Sequence, residues 1–216
     1  MKIIKKHIFS WLLVITLMIS NVSFVFAAEN DSLNLYRDKL EEINIVLGTN
    51  YKIPDKEEIK VTGMTYEELQ QFYADMSLEE FEQYIYQLDA KNDHTKVIEV
   101  NASIENENIG ILPAATASSQ YFYYSSSNSN YLALFTNVVQ SGGVTYYNSV
   151  TGYGKNKQAT GYPYYSPYGF SYTPSSDSRQ LSCSYKCSKY ISAGVIDTGA
   201  YTLRVTFTAG GGNIYA

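Results

Sequence analysis

The chain of 216 residues has one tryptophan, Trp11, and two histidines, His7 and His94. Trp11 and His7 fall in the N-terminal leader, so the rest of the chain has no tryptophan and a single imidazole. A Ser-His-Asp or Cys-His device would have to recruit His94, which stands in the polar run Asn92-Asp93-His94-Thr95 and reads as surface decoration. Asp and Glu are missing from Ser118 to Ser176, which leaves Asp177 and Asp197 as the only carboxylates beyond that point. A glycosidase needs such a pair facing each other, and both of these sit among turn residues, where Asp is common for backbone reasons. Two cysteines, Cys183 and Cys187, lie far from any histidine, so no zinc-ligand spacing exists. Gly152-Tyr153-Gly154-Lys155 lacks the spacer and the helix of a phosphate loop. These absences together predict a protein that is not an enzyme and takes no cofactor or metal.

What is present begins with an address. Lys2, Lys5, Lys6 and His7 precede the apolar run from Ile8 to Leu17, and Val25-Phe26-Ala27 places small residues before a cut after Ala27. This is the pattern of a secretory signal peptide, and it predicts a secreted or extracellular protein with no stable transmembrane segment after cleavage. No cysteine follows the run, so no lipid anchor is expected. Leu112-Pro113-Ala114-Ala115-Thr116 lacks the Thr-Gly ending and the hydrophobic tail of a sorting signal, and reads as a loop.

Charge divides the remainder. Residues 28 to 117 hold nineteen Asp and Glu against seven Lys and Arg, whereas 118 to 216 hold two against six. Such asymmetry marks two differently built parts, and the slight surplus of the second gives no reason to expect nucleic acid as a partner. The predicted organisation is a signal peptide over 1–27, an acidic helical region over 28–95, a linker with a possible short strand over 96–119, and a Tyr/Ser-rich antiparallel β-domain over 120–216. Attraction between the acidic and basic parts is the expected bond between them.

In the acidic region Leu33, Tyr36, Leu40, Ile43 and Leu47 fall at helical spacing, with Asp31 or Ser32 as N-cap and Gly48 past the end. A short repeat follows. Met64-Thr65-Tyr66-Glu67-Glu68 is answered by Met76-Ser77-Leu78-Glu79-Glu80, each copy a capping box with a hydrophobic staple. Two short helices are expected, near Tyr66 to Asp75 and Leu78 to Asp89. Ile98, Val100, Ala102 and Ile104 alternate with polar residues and suggest one strand before the linker.

Sixteen of the 22 tyrosines lie from Tyr121 onward. Leu181, Cys183, Tyr185 and Cys187 alternate with polar residues, as do Tyr201, Leu203, Val205 and Phe207, giving two half-buried strands close together. On one strand the two cysteines stand about 13 Å apart at the strand rise, beyond a disulfide's reach of about 4 to 7 Å. They are therefore expected to stay unbridged, unless Ser184-Tyr185-Lys186 makes a tight turn. Further strands are predicted at 120–124, 131–139, 144–150, 169–172 and 190–196, with turns at Gly142-Gly143, Pro174 to Asp177 and Asp197-Thr198-Gly199. The fold class expected is α+β: the helical region followed by an antiparallel β-sandwich, with a small open β-barrel as the alternative.

The longest piece without a strand pattern is Thr151 to Pro167, and long loops in compact domains tend to carry function. Tyr153, Lys155, Lys157, Tyr162, Tyr164, Tyr165 and Tyr168 are the candidate ligand-binding residues, offering flat contact area, hydroxyls and positive charge. Tyr185 and Tyr201 belong to cross-strand packing instead. The predicted function is that of a secreted bacterial-type protein with a non-catalytic recognition domain for a cell-envelope polymer or a protein partner. The alternative is a secreted toxin or antimicrobial protein whose acidic region is a cleavable propeptide. Retention of the loop as mere cover for one end of the domain is the competing account of 151–168, since Pro163 and Pro167 could stiffen it.

Overall fold

A computed structural model describes residues 32–100, 115–125 and 129–215. The signal peptide, the second half of the strand expected between 96 and 105 and most of the linker lie outside the described residues. The fold is β-rich α+β, with three α-helices and two sheets among the described residues, and the sheets do not close into a barrel. Among the described residues no helix is long and apolar enough to cross a membrane.

Helix α1 (Asn34–Leu47) buries Tyr36, Leu40 and Ile43 and ends at Gly48, whose φ of 67° suits the residue that has no Cβ. Its N-cap position is Leu33 rather than Ser32, and Asp31, the other residue expected to cap it, lies outside the described residues. A single 3₁₀ turn (Ile59–Thr62) leads to α2 (Tyr66–Ala74) and α3 (Leu78–Lys91). Both of these begin with a complete capping box. The Thr65 hydroxyl accepts from the Glu68 N–H at 3.1 Å while Glu68 accepts from the Thr65 N–H at 2.7 Å, and Ser77 and Glu80 repeat the exchange. Each cap contributes about 0.5–2 kcal/mol. Tyr36, Tyr73 and Phe81, one from each helix, meet ring to ring at 5.3 to 5.5 Å and form the centre of the helical core.

The first sheet has the order β1-β8-β7-β6, built from β1 (Tyr51–Lys52), β6 (Tyr164–Pro174), β7 (Gln180–Tyr190) and β8 (Ile196–Thr208). Strand β2 (Val97–Val100) also joins it, parallel to β8 with Glu99 opposite Arg204. The second sheet has the order β5-β4-β3-β9, from β3 (Thr116–Tyr123), β4 (Tyr131–Ser141), β5 (Val144–Lys155) and β9 (Ile214–Tyr215), the last parallel to β3. The β2–β8 and β3–β9 pairs correct the expectation of a purely antiparallel domain. They arise because β2 comes from before the linker and β9 from the chain's end, where no hairpin imposes antiparallel pairing.

One apolar cluster receives side chains from both sheets, among them Phe122, Leu132 and Leu134 from the second and Tyr185, Leu203 and Phe207 from the first. Polar ties cross it. The Tyr185 hydroxyl donates to the Ala133 carbonyl at 3.2 Å, and the Gln120 side-chain amide donates to the Thr208 carbonyl at 2.9 Å while its oxygen accepts from Tyr147. Cys183 and Cys187 sit on β7 with free thiols, both turned into this cluster. Burial pushes both thiols up to about 12.

The helices rest on the β7–β8 turn. Val195 is fully buried among them, the Tyr73 hydroxyl donates to the Gly194 carbonyl at 2.7 Å, and that of Tyr84 donates to Ser192 at 2.9 Å. This contact is apolar and phenolic, while opposite charges of the two parts meet elsewhere, at Arg204 and Glu99, 2.8 Å apart. The strand expected over 190–196 is this turn: β7 stops at Tyr190, and Ser192-Ala193-Gly194 reverses the chain against the helices. Conversely, Asp197-Thr198-Gly199 is not a turn but the start of β8, held by β1 and by hydrogen bonds from Thr198 to the Asn50 carbonyl.

Candidate functional site

The stretch read as a long loop is mostly strand. β5 continues through Thr151 to Lys155 and β6 begins at Tyr164, so the irregular part spans only 156–163. Gly152, Gly154 and two prolines mimic loop composition there, although in β5 the glycines serve packing, as shown below. Buried Asn130 and Asn156 fasten what remains. The Asn156 amide donates to Asn130 at 2.9 Å, Asn130 donates to the Gly161 carbonyl at 2.7 Å and accepts from the Thr160 N–H at 2.9 Å, and Asn156 accepts from the Tyr131 N–H at 3.1 Å.

The seven residues expected to bind a ligand are scattered by this arrangement. Tyr164 is fully buried with its hydroxyl on the Asn156 carbonyl at 2.8 Å, and Tyr165 lies in the intersheet core edge-on to Tyr124 at 5.0 Å. Neither can touch a ligand without opening the core. Tyr162 is half-buried against Tyr164, Tyr190 and Ile196, and burial, with a smaller contribution from Tyr84, pushes its phenol up to about 12. The Lys155 ammonium donates to Ser166 at 2.6 Å beside the Tyr164 ring, and burial lowers its pKa. Tyr153 faces the space between the sheets and stacks on Phe170 at 4.9 Å, which closes the seam between β5 and β6. Lys157 and Tyr168, the latter at a β-bulge, are exposed, and Tyr153 keeps 38% of its surface open beside Phe170.

The other chemistry-bearing side chains do not converge either. Asp177 lies in the β6–β7 turn, accepting from Ser175 at 2.6 Å and from the Arg179 N–H at 3.1 Å. Asp197 lies at the far end of the same sheet, buried, accepting from Tyr201 at 2.6 Å and from Asn92 at 3.2 Å, with the Lys96 ammonium at 3.8 Å. His94 is half exposed, 3.3 Å from Asp89. Among the described residues no cluster of metal-ligating side chains occurs.

What the strands do bring together is on the outer face of the β5-β4-β3-β9 sheet. Inward Phe122, Leu132 and Leu134 alternate with outward Tyr121, Tyr123, Tyr131 and Phe135, and register sets Tyr123 beside Tyr131 on one side and Tyr215 on the other. Tyr123 and Tyr215 stack at 4.9 Å with planes 7° apart, while Tyr131 meets Tyr121 at 4.9 Å and Tyr123 at 5.6 Å edge-on. Such ring pairs contribute about 0.5–1.5 kcal/mol beyond burial, so the patch is held in shape. Phe135 extends it across β5: a Cβ on Gly154 would stand 3.1 Å from the Phe135 ring, and one on Gly152 3.7 Å. The two glycines are the floor on which that ring lies.

Beyond the aromatic rings this face continues with Ala117, Ser119, Asn137 and Ser149, the last two joined by a 3.1 Å hydrogen bond. None of these outward residues carries a charge at neutral pH. Burial, and then the neighbouring Tyr215, Tyr131 and Tyr121 phenols, hold the Tyr123 hydroxyl above its ordinary value. It stays a neutral donor and acceptor through the physiological range. Tyr215, 67% exposed, is the most open ring of the patch. Such a surface can stack on the C–H face of a sugar or peptide unit and hydrogen-bond its hydroxyls or amides.

No family model matches the chain, and no curated protein matches it. Solved structures with some likeness include the hypothetical protein lmo2686 from Listeria monocytogenes EGD-e, at 14% identity and a TM-score of 0.27, over 46% of this chain and 67% of that one. Another is a two-domain protein of unknown function from Bacteroides thetaiotaomicron VPI-5482, at 11% identity and a TM-score of 0.25, over 70% of this chain and 69% of that one.

Proposed function

We propose that this is a secreted, non-catalytic, bacterial-type recognition protein whose two sheets form a sandwich and whose outer tyrosine face binds an uncharged polymer of the cell envelope. The observation that carries this reading is the set of four tyrosines from three strands, held ring to ring with one another, and Phe135 over Gly152 and Gly154 on the same uncharged sheet face. Rigid aromatic rings expose contact area at little entropic cost, and the small Ser, Ala and Gly positions around them leave room for an extended chain. The alternative of a propeptide-released toxin has less support. Removal of the acidic region by a cut near Ser118 would strip β1 and β2 from β8 and expose Val195 and the rest of the turn on which the helices sit.

The test is retention of the purified protein on isolated bacterial envelopes, with and without competing soluble neutral polysaccharide. Tyr121→Ala/Tyr123→Ala/Tyr215→Ala is expected to abolish retention while the circular dichroism spectrum stays that of the folded protein. Undiminished retention by that folded variant would remove the face from consideration.

A further inference from the structure

Among the described residues, strand β3 is an edge of its sheet for most of its length. β9 pairs only with Phe122 and Tyr123. Just before them the Tyr121 N–H donates to the Asn213 side-chain oxygen at 3.2 Å, on the side away from β4. Backbone groups alternate sides along a strand, so Ala117 and Ser119 direct theirs to that same open side, while Ser118 and Gln120 direct theirs to β4. Among the described residues nothing donates to or accepts from the backbone of Ala117 or Ser119, and both residues are exposed.

Other edges are blunted. β6 carries Pro167, Pro174 and the bulge at Tyr168, β5 is irregular at two places, β1 has two residues, and β2 carries Glu99 paired with Arg204 at 2.8 Å. Proline, bulges, short length and charge are the devices that keep an edge from pairing with another chain. From Thr116 to Tyr123, β3 has no proline, no charge and an unbroken register with β4.

We propose that this edge pairs with the same edge of a second copy of the chain, antiparallel about a two-fold axis through Ser118. Ala117 of each copy then exchanges backbone hydrogen bonds with Ser119 of the other, an isologous contact in which one patch complements itself. Self-pairing meets no like charges, because the residues that come face to face are small and neutral. The axis stands normal to the sheet, so the two aromatic faces lie on the same side of one continuous sheet. For a repetitive polymer, and only if the reading of that face is right, the pair would hold one strand at two places and gain avidity. The pairing itself does not depend on that reading.

Sedimentation velocity of the purified protein from micromolar to millimolar concentration tests it. The mass is expected to rise from that of one chain toward that of two. Ser119→Pro removes an outward N–H without touching the β3–β4 ladder and is expected to hold the mass at one chain throughout. Should that variant fail to fold, Ser118→Cys decides. It sets two thiols across the axis at a non-hydrogen-bonded pair, where Cα atoms are about 4.5 Å apart, within disulfide range, and mild oxidation should give a covalent dimer. A one-chain mass at every concentration, a dimer that persists in folded Ser119→Pro, or a Ser118→Cys protein that stays one chain after oxidation would each overturn the proposal.

Discussion

The two sheets share one core and turn different chemistries outward. The outer side of the β6-β7-β8 sheet is a ladder of hydroxyls and charges: Ser171, Ser184 and Arg204 lie abreast, Thr173, Ser182 and Thr206 form the next row, and Glu99 on β2 pairs with Arg204. The outer side of the β5-β4-β3-β9 sheet carries Tyr121, Tyr123, Tyr131, Tyr215 and Phe135 with no charge among them. Both sheets obey the same alternation, so inward burial alone does not explain the second face. A sheet that needs only solubility presents the first pattern, since rings exposed together cost solvation and invite association. The second pattern is therefore the informative one.

The sharpest way to separate inward from outward tyrosines is alkaline pH. Burial holds the Tyr73, Tyr147 and Tyr185 phenols above their ordinary value. A raised folded pKa gives stability that is full below the unfolded value of about 10 and is lost as pH rises beyond it. The buried phenolates are expected to appear only together with cooperative unfolding, followed by ultraviolet absorbance and circular dichroism in one titration. Their ionisation in a still-folded protein would contradict the packing described.

Next in size is the core that both faces share. Tyr185→Ala removes a fully buried ring and the hydroxyl that reaches the Ala133 carbonyl of the opposite sheet, and should lower stability by about 3–5 kcal/mol. Thermal or urea unfolding measures it. A loss well under that range would mean that the sheets hold together without this tie.

Smaller, and aimed at the difference between the faces, is a matched pair. Gly154→Val drives a side chain into the Phe135 ring and should cost about 1–3 kcal/mol, whereas Ser184→Val on the other outer face should stay within about 0.5 kcal/mol. Equal effects would erase the claim that the aromatic face is a packed surface and the hydroxyl face a merely solvated one.

Much of this architecture is legible in the chain. The alternations of Leu181 to Cys187 and Tyr201 to Phe207 give β7 and β8 their inward faces, and the duplicated Thr/Ser-x-x-Glu signal marks the starts of α2 and α3, because capping and two-residue periodicity are local properties. Non-local features escape. Gly152 and Gly154 read as loop residues until Phe135, seventeen and nineteen positions earlier, is found lying on them. Tyr164 and Tyr165 look like surface chemistry because their Ser, Pro and Gly neighbours do, although pairing with β7 turns them into the interior. The aromatic face depends on register among β3, β4 and β9, and Tyr215 reaches it from the other end of the chain. A two-residue strand such as β9 leaves no periodic signal at all.

The most direct test sets the faces against each other on the same envelopes. Tyr121→Ala/Tyr123→Ala/Tyr215→Ala and Ser182→Ala/Lys186→Ala/Arg204→Ala, both verified as folded, are compared with the parent protein for retention. Loss of retention in the tyrosine variant alone is the expected result. Equal retention by all three proteins, or loss only when the hydroxyl face is changed, would contradict the account.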